Sequence, residues 1–294
     1  MKFGIGLTNY GLGVAFDDLR RVALTAERLG YVSIWTTDHL LVPKENIEPY
    51  GNIFESVTTL AMMGALTDRL QLGTSVLVLP MRNPVLVAKQ MATLDAASHG
   101  RTILGVGVGW NAVEYANLGA SFRDRGRRLD EAITLMRTMW SQNEVTFHGK
   151  YTNIENGYSS PLPARKGGIP IWIGGDEEPS LRRVANLGDG WHPVGASPET
   201  IAAGIKRIRE LKPARPITVS ARLSIDLNSS LSPTYEYRNN PRHRLVGSVD
   251  GIRARLREYA QAGVEHMVLF FPEIADKAIA QMEQFASELR PEFI

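Results

Sequence analysis

Short apolar runs alternate with amphipathic windows along most of the chain. Residues 3–7, 32–36, 70–77, 102–108, 169–173, 190–194, 217–225 and 266–271 carry few polar positions. Near-continuous apolar runs of this length suit parallel strands covered on both faces. The first intervening window, "FDDLRRVALTAERLG", sets Leu19, Val22, Ala23, Ala26 and Leu29 on one face and stops at Gly30. Further helical windows span 56–66, 84–97, 127–140, 180–187, 248–262 and 274–289. Ser197 followed by Pro198 reads as an N-cap and first-turn proline opening a helix to about Leu211. Eight strand–helix units in one chain predict an α/β fold, a single (β/α)8 TIM barrel over residues 1–294.

A doubly wound sheet would need a G-x-G-x-x-G turn after an early strand, and "TNYGLGVAFDD" offers only G-x-G. Two long connections read as insertions, after strands 4 and 7. Residues 141–168 contain a hairpin pattern around His148-Gly149-Lys150, and residues 226–247 are polar and proline-bearing.

Composition narrows the chemistry. The net charge of +2 lacks dense basic tracts, so neither nucleic acid nor an anionic membrane is expected as a partner. No cysteine is present, which removes disulfides, thiolate nucleophiles and Cys-ligated metal sites. The opening "MKFGIGLTNYGLG" lacks a basic region followed by a sustained apolar run. No stretch approaches the ~20 apolar residues that span a bilayer. A cytoplasmic location is the expectation.

A barrel puts its chemistry at the C-terminal ends of its strands. Those ends carry Thr8-Asn9, Thr37-Asp38-His39, Thr74-Ser75-Val76, Gly107 to Asn111, Gly174-Gly175, Trp191-His192, Arg222 with Ser224, and Phe270 to Glu273. His39 and His192 lie apart around the ring, so no metal site is expected. Asp38 and Glu273 make a poor glycosidase pair. A rim rich in glycine, aromatics and hydroxyls suits a flat cofactor held by backbone and apolar contacts.

Each position also has a plainer reading. Asp38-His39 fits a polar loop whose acid caps the next turn, and Gly105 fits close packing inside the barrel. Trp110 is a wall of the substrate space or core, Trp191 is packing or rim, and His192 is a rim candidate. Asn111 and Glu114 follow as further candidates. Gly174-Gly175 precedes a helix, where free N–H groups hold phosphate, but the acids Asp176-Glu177-Glu178 come next. Arg123, Arg125, Arg127 and Arg128 read as a solvated helix start. His99, His148, His243 and His266 are assigned to structure or surface.

The segments "GYVSIWTTDHL", "LGTSVLVLPMRNPVLVAKQMATLDAAS", "GVGVGWNAVEY", "RGRRLDEAITLMRTMW" and "IPIWIGG" with "LRRVANLGDGWHP" resemble the luciferase-like oxidoreductase superfamily. More narrowly they resemble its branch that uses the deazaflavin coenzyme F420. The resemblance covers about residues 2–290 in order. It implies a barrel that binds F420, or alternatively FMN, at the C-terminal rim. It also implies a non-proline cis peptide within Thr74-Ser75-Val76, at Ser75–Val76, pressing a bulge against one face of the ring.

By the same resemblance His39 bonds the ring or donates a proton, for which an imidazole's ordinary pKa near 6.5 is suited. Asp38 orients it or contacts the ring edge. Gly107 and Gly109 let the backbone approach the cofactor beside Asn111, and Gly174-Gly175 take its phosphate. Trp110, Trp191 and His192 line a pocket for a small-molecule substrate. The arginine cluster becomes a receiver for the anionic tail of F420. The implied protein is a homodimeric F420-dependent oxidoreductase moving a hydride to or from that substrate. The alternatives are an FMN-dependent monooxygenase using reduced flavin and O2, and a non-catalytic flavin-binding homologue.

Overall fold

A computed structural model describes residues 1–272 and 274–293, and Glu273 lies outside the described residues. Eight parallel strands close into a barrel: β1 (Lys2–Leu7), β2 (Ser33–Thr36), β3 (Gln71–Thr74), β4 (Thr102–Gly107), β5 (Ile171–Gly174), β6 (Gly190–His192), β7 (Thr218–Leu227) and β8 (His266–Phe270). Each pairs with the next in sequence, and β8 returns to β1 with Lys2 opposite His266. The layer outside contains α1 (Phe16–Leu29), α2 (Ser56–Leu66), α3 (Pro84–Ala97), α4 (Arg125–Ser141), α5 (Glu178–Leu187), α6 (Pro198–Glu210), α7 (Val249–Gln261) and α8 (Ala275–Glu288). Among the described residues no helix is long and apolar enough to cross a membrane.

Local sequence explains the boundaries. Gly30 ends α1 in the left-handed region at φ 79°, a conformation side chains with a Cβ avoid. Ser197 and Ser248 cap α6 and α7 by accepting from the N–H of Thr200 and Gly251. The main apolar core lies between the strands' outward faces and the helices. A second cluster, Trp35, Ile103, Trp172, Val268 and Phe270, is packed together as a separate core. Trp35 meets Trp172 at 5.1 Å, and a Cβ on Gly73 would collide with its indole. The glycines thus make room for large rings that close the barrel below its mouth.

The bulge expected at the end of the third strand is present: the strand read over 70–77 pairs only to Thr74, the Ser75–Val76 peptide is cis as the resemblance implied, and Leu77–Val78 resumes pairing, with Val106 and Gly107. Other elements differ from, or add to, the sequence reading. A short helix, Ala112–Asn117, follows β4 where none was expected. The hairpin Glu144–His148/Asn153–Tyr158 leaves from the end of α4, so it sits in a helix-to-strand connection. Its tip is held by Glu131, which accepts from the N–H groups of Lys150, Tyr151 and Thr152. The second insertion holds the hairpin Thr234–Tyr237/Asn240–His243, between β7 and α7.

Candidate active site

The β2 end shows how strand parity sorts side chains. Successive residues point to opposite faces. Ser33 and Trp35 face the barrel interior, where they bond each other and Ser33 bonds His266. Thr36 faces out, bonding Ser56 of α2 at 2.7 Å. Continuing the alternation, Thr37 turns inward, Asp38 outward and His39 toward the mouth. Asp38 therefore does not orient His39. Its Oδ2 accepts from the Val78 N–H at 2.8 Å and its Oδ1 from Arg82 at 2.6 Å, with the side chain fully buried. Burial pushes the Asp38 carboxyl above its ordinary range, and Arg82 opposes that shift.

Glu114, from the short helix after β4, orients His39 instead. Its Oε2 lies 2.8 Å from His39 Nδ1, while its Oε1 accepts from the N–H groups of Leu40 (2.6 Å) and Leu41 (3.1 Å). Burial raises the Glu114 carboxyl, but these hydrogen bonds from His39 and the backbone outweigh it and hold it below its ordinary value. An ionised carboxylate can only accept, so Nδ1 carries the proton toward Glu114. Nε2 has no hydrogen-bond partner among the described residues, which leaves it for proton exchange. Asn111 places this helix: Oδ1 accepts from Val113 and Glu114, and Nδ2 donates to Asn46 at 3.0 Å.

The cis bulge is held from below. Ser75 Oγ lies 2.7 Å from His192 Nε2, and His192 Nδ1 lies 2.6 Å from Ser220 Oγ. Ser220 donates its one hydroxyl proton to the Trp191 carbonyl, so it must accept from His192 Nδ1–H. Burial keeps His192 far below its ordinary pKa and hence neutral, making Nε2 the acceptor of the Ser75 hydroxyl proton. Arg222 donates to the Ser75 carbonyl and to Thr37 Oγ1, and it stacks on Phe270 at 3.9 Å.

Val76 rises from this base into a notch of missing side chains. A Cβ on Gly107 would come within 2.7 Å of Val76 Cγ2, and one on Gly174 within 3.2 Å. A Cβ on Gly105 would press on the Thr74 carbonyl, and one on Gly109 on Val78 Cγ1 at 2.5 Å. Gly107 and Gly109 thus make room for the chain's own valines. Two pocket expectations are corrected. The Trp191 indole packs outward against Gly204 of α6 and donates to the Gly175 carbonyl. His192 is buried beneath the bulge, stacked on Trp35 at 5.0 Å. Trp110 does reach the mouth, 5.7 Å from His39.

At the β5 end Gly175 turns at φ 95° before α5. Two of the three acids that follow are engaged. Asp176 pairs with Arg242 at 2.5 Å, and Glu178 with Arg182 (2.7 Å) and Arg207 (2.8 Å). The hydrogen bond from Arg207, then that from Arg182, lowers Glu178 to about 2. In the arginine cluster, Arg125 covers Phe122 and Arg128 pairs with Asp124, while Arg123 and Arg127 are exposed. Arg82, Ser220 and Tyr50, whose ring lies 4.4 Å from His39, are the site residues that the sequence reading missed, while Arg222 was read at the rim without a role.

Known proteins share the fold and part of the sequence. An F420-dependent glucose-6-phosphate dehydrogenase of Kineococcus radiotolerans is 34% identical over 173 residues, covering 58% of this chain and 50% of that one. The crystal structure of monooxygenase RslO1 from Streptomyces bottropensis superposes with a TM-score of 0.83 at 21% identity, covering 100% of both chains. The coenzyme F420 dependent tetrahydromethanopterin reductase from Methanopyrus kandleri gives 0.80 at 18%, covering 100% of this chain and 99% of that one. At such identities the structures speak to the fold alone. The pattern of the luciferase-like monooxygenases matches residues 1–232, and the chain belongs to that family of oxidoreductases.

Proposed function

We propose that the protein is an F420-dependent oxidoreductase acting on a small organic substrate. The observation that carries this reading is Val76 on its cis bulge, braced by Ser75, His192 and Arg222, at a barrel rim that also holds the oriented His39. Kinship with a dehydrogenase named for F420 supports that cofactor. The residues present fit the group. Val76 offers an apolar support for one face of a flat ring. The Gly174-Gly175 turn offers backbone N–H groups for a phosphate, and two of the acids beside it, Asp176 and Glu178, are paired with arginines. When bound, F420 supplies a hydride donor or acceptor. The chain's own part is to support the ring, exclude water with its aromatic wall, and give or take a proton at His39 Nε2, with Glu114 fixing the tautomer.

Thermal melting with F420 and FMN in parallel tests the reading. Ligand at a hundred times its Kd adds about 2.7 kcal/mol to the native state, or roughly 5 °C for a chain of this size. That rise is expected with F420. A rise with FMN alone supports the monooxygenase alternative, and no rise with either supports a homologue without catalysis.

A further inference from the structure

The face of the barrel opposite the mouth holds an open cavity of about 560 Å3. Three segments meet there: the end of α4, the connection into β5 and the connection into β7. They bring Arg137, Arg165, Lys166 and Arg215 to one lining, and no acid stands in it among the described residues. These positions are far apart in sequence, so the even composition of the chain hides the cluster.

Two acids lie behind the lining. Asp189 accepts from Arg137 at 2.7 Å and from Arg215 at 3.2 Å, and buried Asp95 accepts from the Arg165 backbone N–H at 3.1 Å. The Arg165 guanidinium donates to the Gly100 carbonyl, and Lys166 is exposed. Neither of these two side chains meets an acid among the described residues.

Donors are also in surplus. Arg137 Nε is buried and has no hydrogen-bond partner. Arg215 bonds through Nη1, which leaves its Nε and Nη2 donors unused. Gly167 and Gly168 turn the adjoining loop at φ 92° and 87°, and the Gly167 N–H makes no hydrogen bond. Sheltered donors without an acceptor cost free energy until one meets them. Leu162, Pro163 and Trp140 add an apolar part to the same lining.

We infer that this cavity binds a phosphate-bearing small molecule of nucleotide size, with its phosphates on Arg165, Lys166 and Arg215 and its apolar part on Leu162 and Pro163. Like charges around a concave surface focus their field on a polyanion. Guanidinium groups bond phosphate oxygens in pairs. The volume lies within the range of small-ligand sites. This site is separate from the mouth and requires neither F420 nor its substrate.

Isothermal titration of the whole chain with ADP, pyrophosphate and adenosine, at fixed ionic strength, tests this. ADP and pyrophosphate are expected to bind, and adenosine at least about tenfold more weakly than ADP, because the phosphates carry the recognition. Lys166→Gln should weaken ADP about threefold, the worth of one exposed ion contact. Arg165→Gln with Lys166→Gln should weaken it about tenfold, the product of two such contacts. Arg20→Gln, on the surface of α1, should bind ADP like the native chain, and melting curves confirm that each variant is folded. Should the double variant fail to fold, the single Lys166→Gln result decides. No binding of ADP, adenosine equal to ADP, or a loss as large in Arg20→Gln as in Lys166→Gln overturns the proposal. So does ADP affinity that falls when F420 is added, which would place ADP in the mouth.

Discussion

Arg82→Ala is expected to destabilise the protein by about 3–5 kcal/mol at pH 7, the usual cost of stranding a buried charge. Arg82 is the cation on Asp38, whose side chain is wholly buried, and it also reaches Glu55 at 3.0 Å. Without it Asp38 must stay ionised and unpaired or take up a proton. Protonation costs about 1.4 kcal/mol for each pH unit above the group's ordinary value. Burial raises the folded carboxyl above its ordinary value of 3.8. A raised folded pKa gives stability that is present below the unfolded value and lost as pH rises through the folded one. The deficit of the variant should therefore shrink as pH falls from 7 toward 4. Urea midpoints at pH 7 and 5 measure this, and adding Asp38→Asn should recover at least half of the loss. A deficit that is flat with pH would place the damage elsewhere than on Asp38.

The second large effect is on turnover. His39→Ala is expected to lower kcat about 10²–10⁴-fold, the usual worth of a positioned acid–base group. The F420 melting shift should change little, because in the proposed reading Val76 and the β5 turn support the cofactor. Glu114→Gln should reduce kcat with a smaller effect on KM, since an amide no longer fixes the imidazole proton on Nδ1. The Glu114 carboxyl is held below its ordinary value, so its contribution to stability is present above that value and is lost as pH falls through the folded one. Steady-state kinetics of the two variants, beside their melting curves, separates the proton role from a folding defect. Unchanged kcat in His39→Ala would remove the role assigned to the pair.

The barrel was legible because its signals are local. Apolar runs, Gly30 as a stop, and Ser197 as a cap each act within a turn or a strand. The site was only partly so. Asp38 and His39 are adjacent in sequence and look like partners, yet strand parity sends them to opposite sides. The alternation of Ser33, Trp35 and Thr37 already contained that answer. Glu114 lies 75 positions from His39, and its hint was Asn111 capping a helix three residues before it. Arg82 follows the broken third strand, so its reach to Asp38 depends on a chain path that no residue pattern sets. The cis peptide at Ser75–Val76 was legible through resemblance and not from the residues themselves. Trp191 read as packing or rim; Ala202-Ala203-Gly204 in α6 marks the space that receives its ring.

Titrating the protein into F420 and following the coenzyme's own fluorescence, with FMN measured in the same way, decides between the two cofactors. Saturable binding of F420 at least tenfold tighter than that of FMN is expected. Tighter binding of FMN, or no saturable binding of F420, would contradict it.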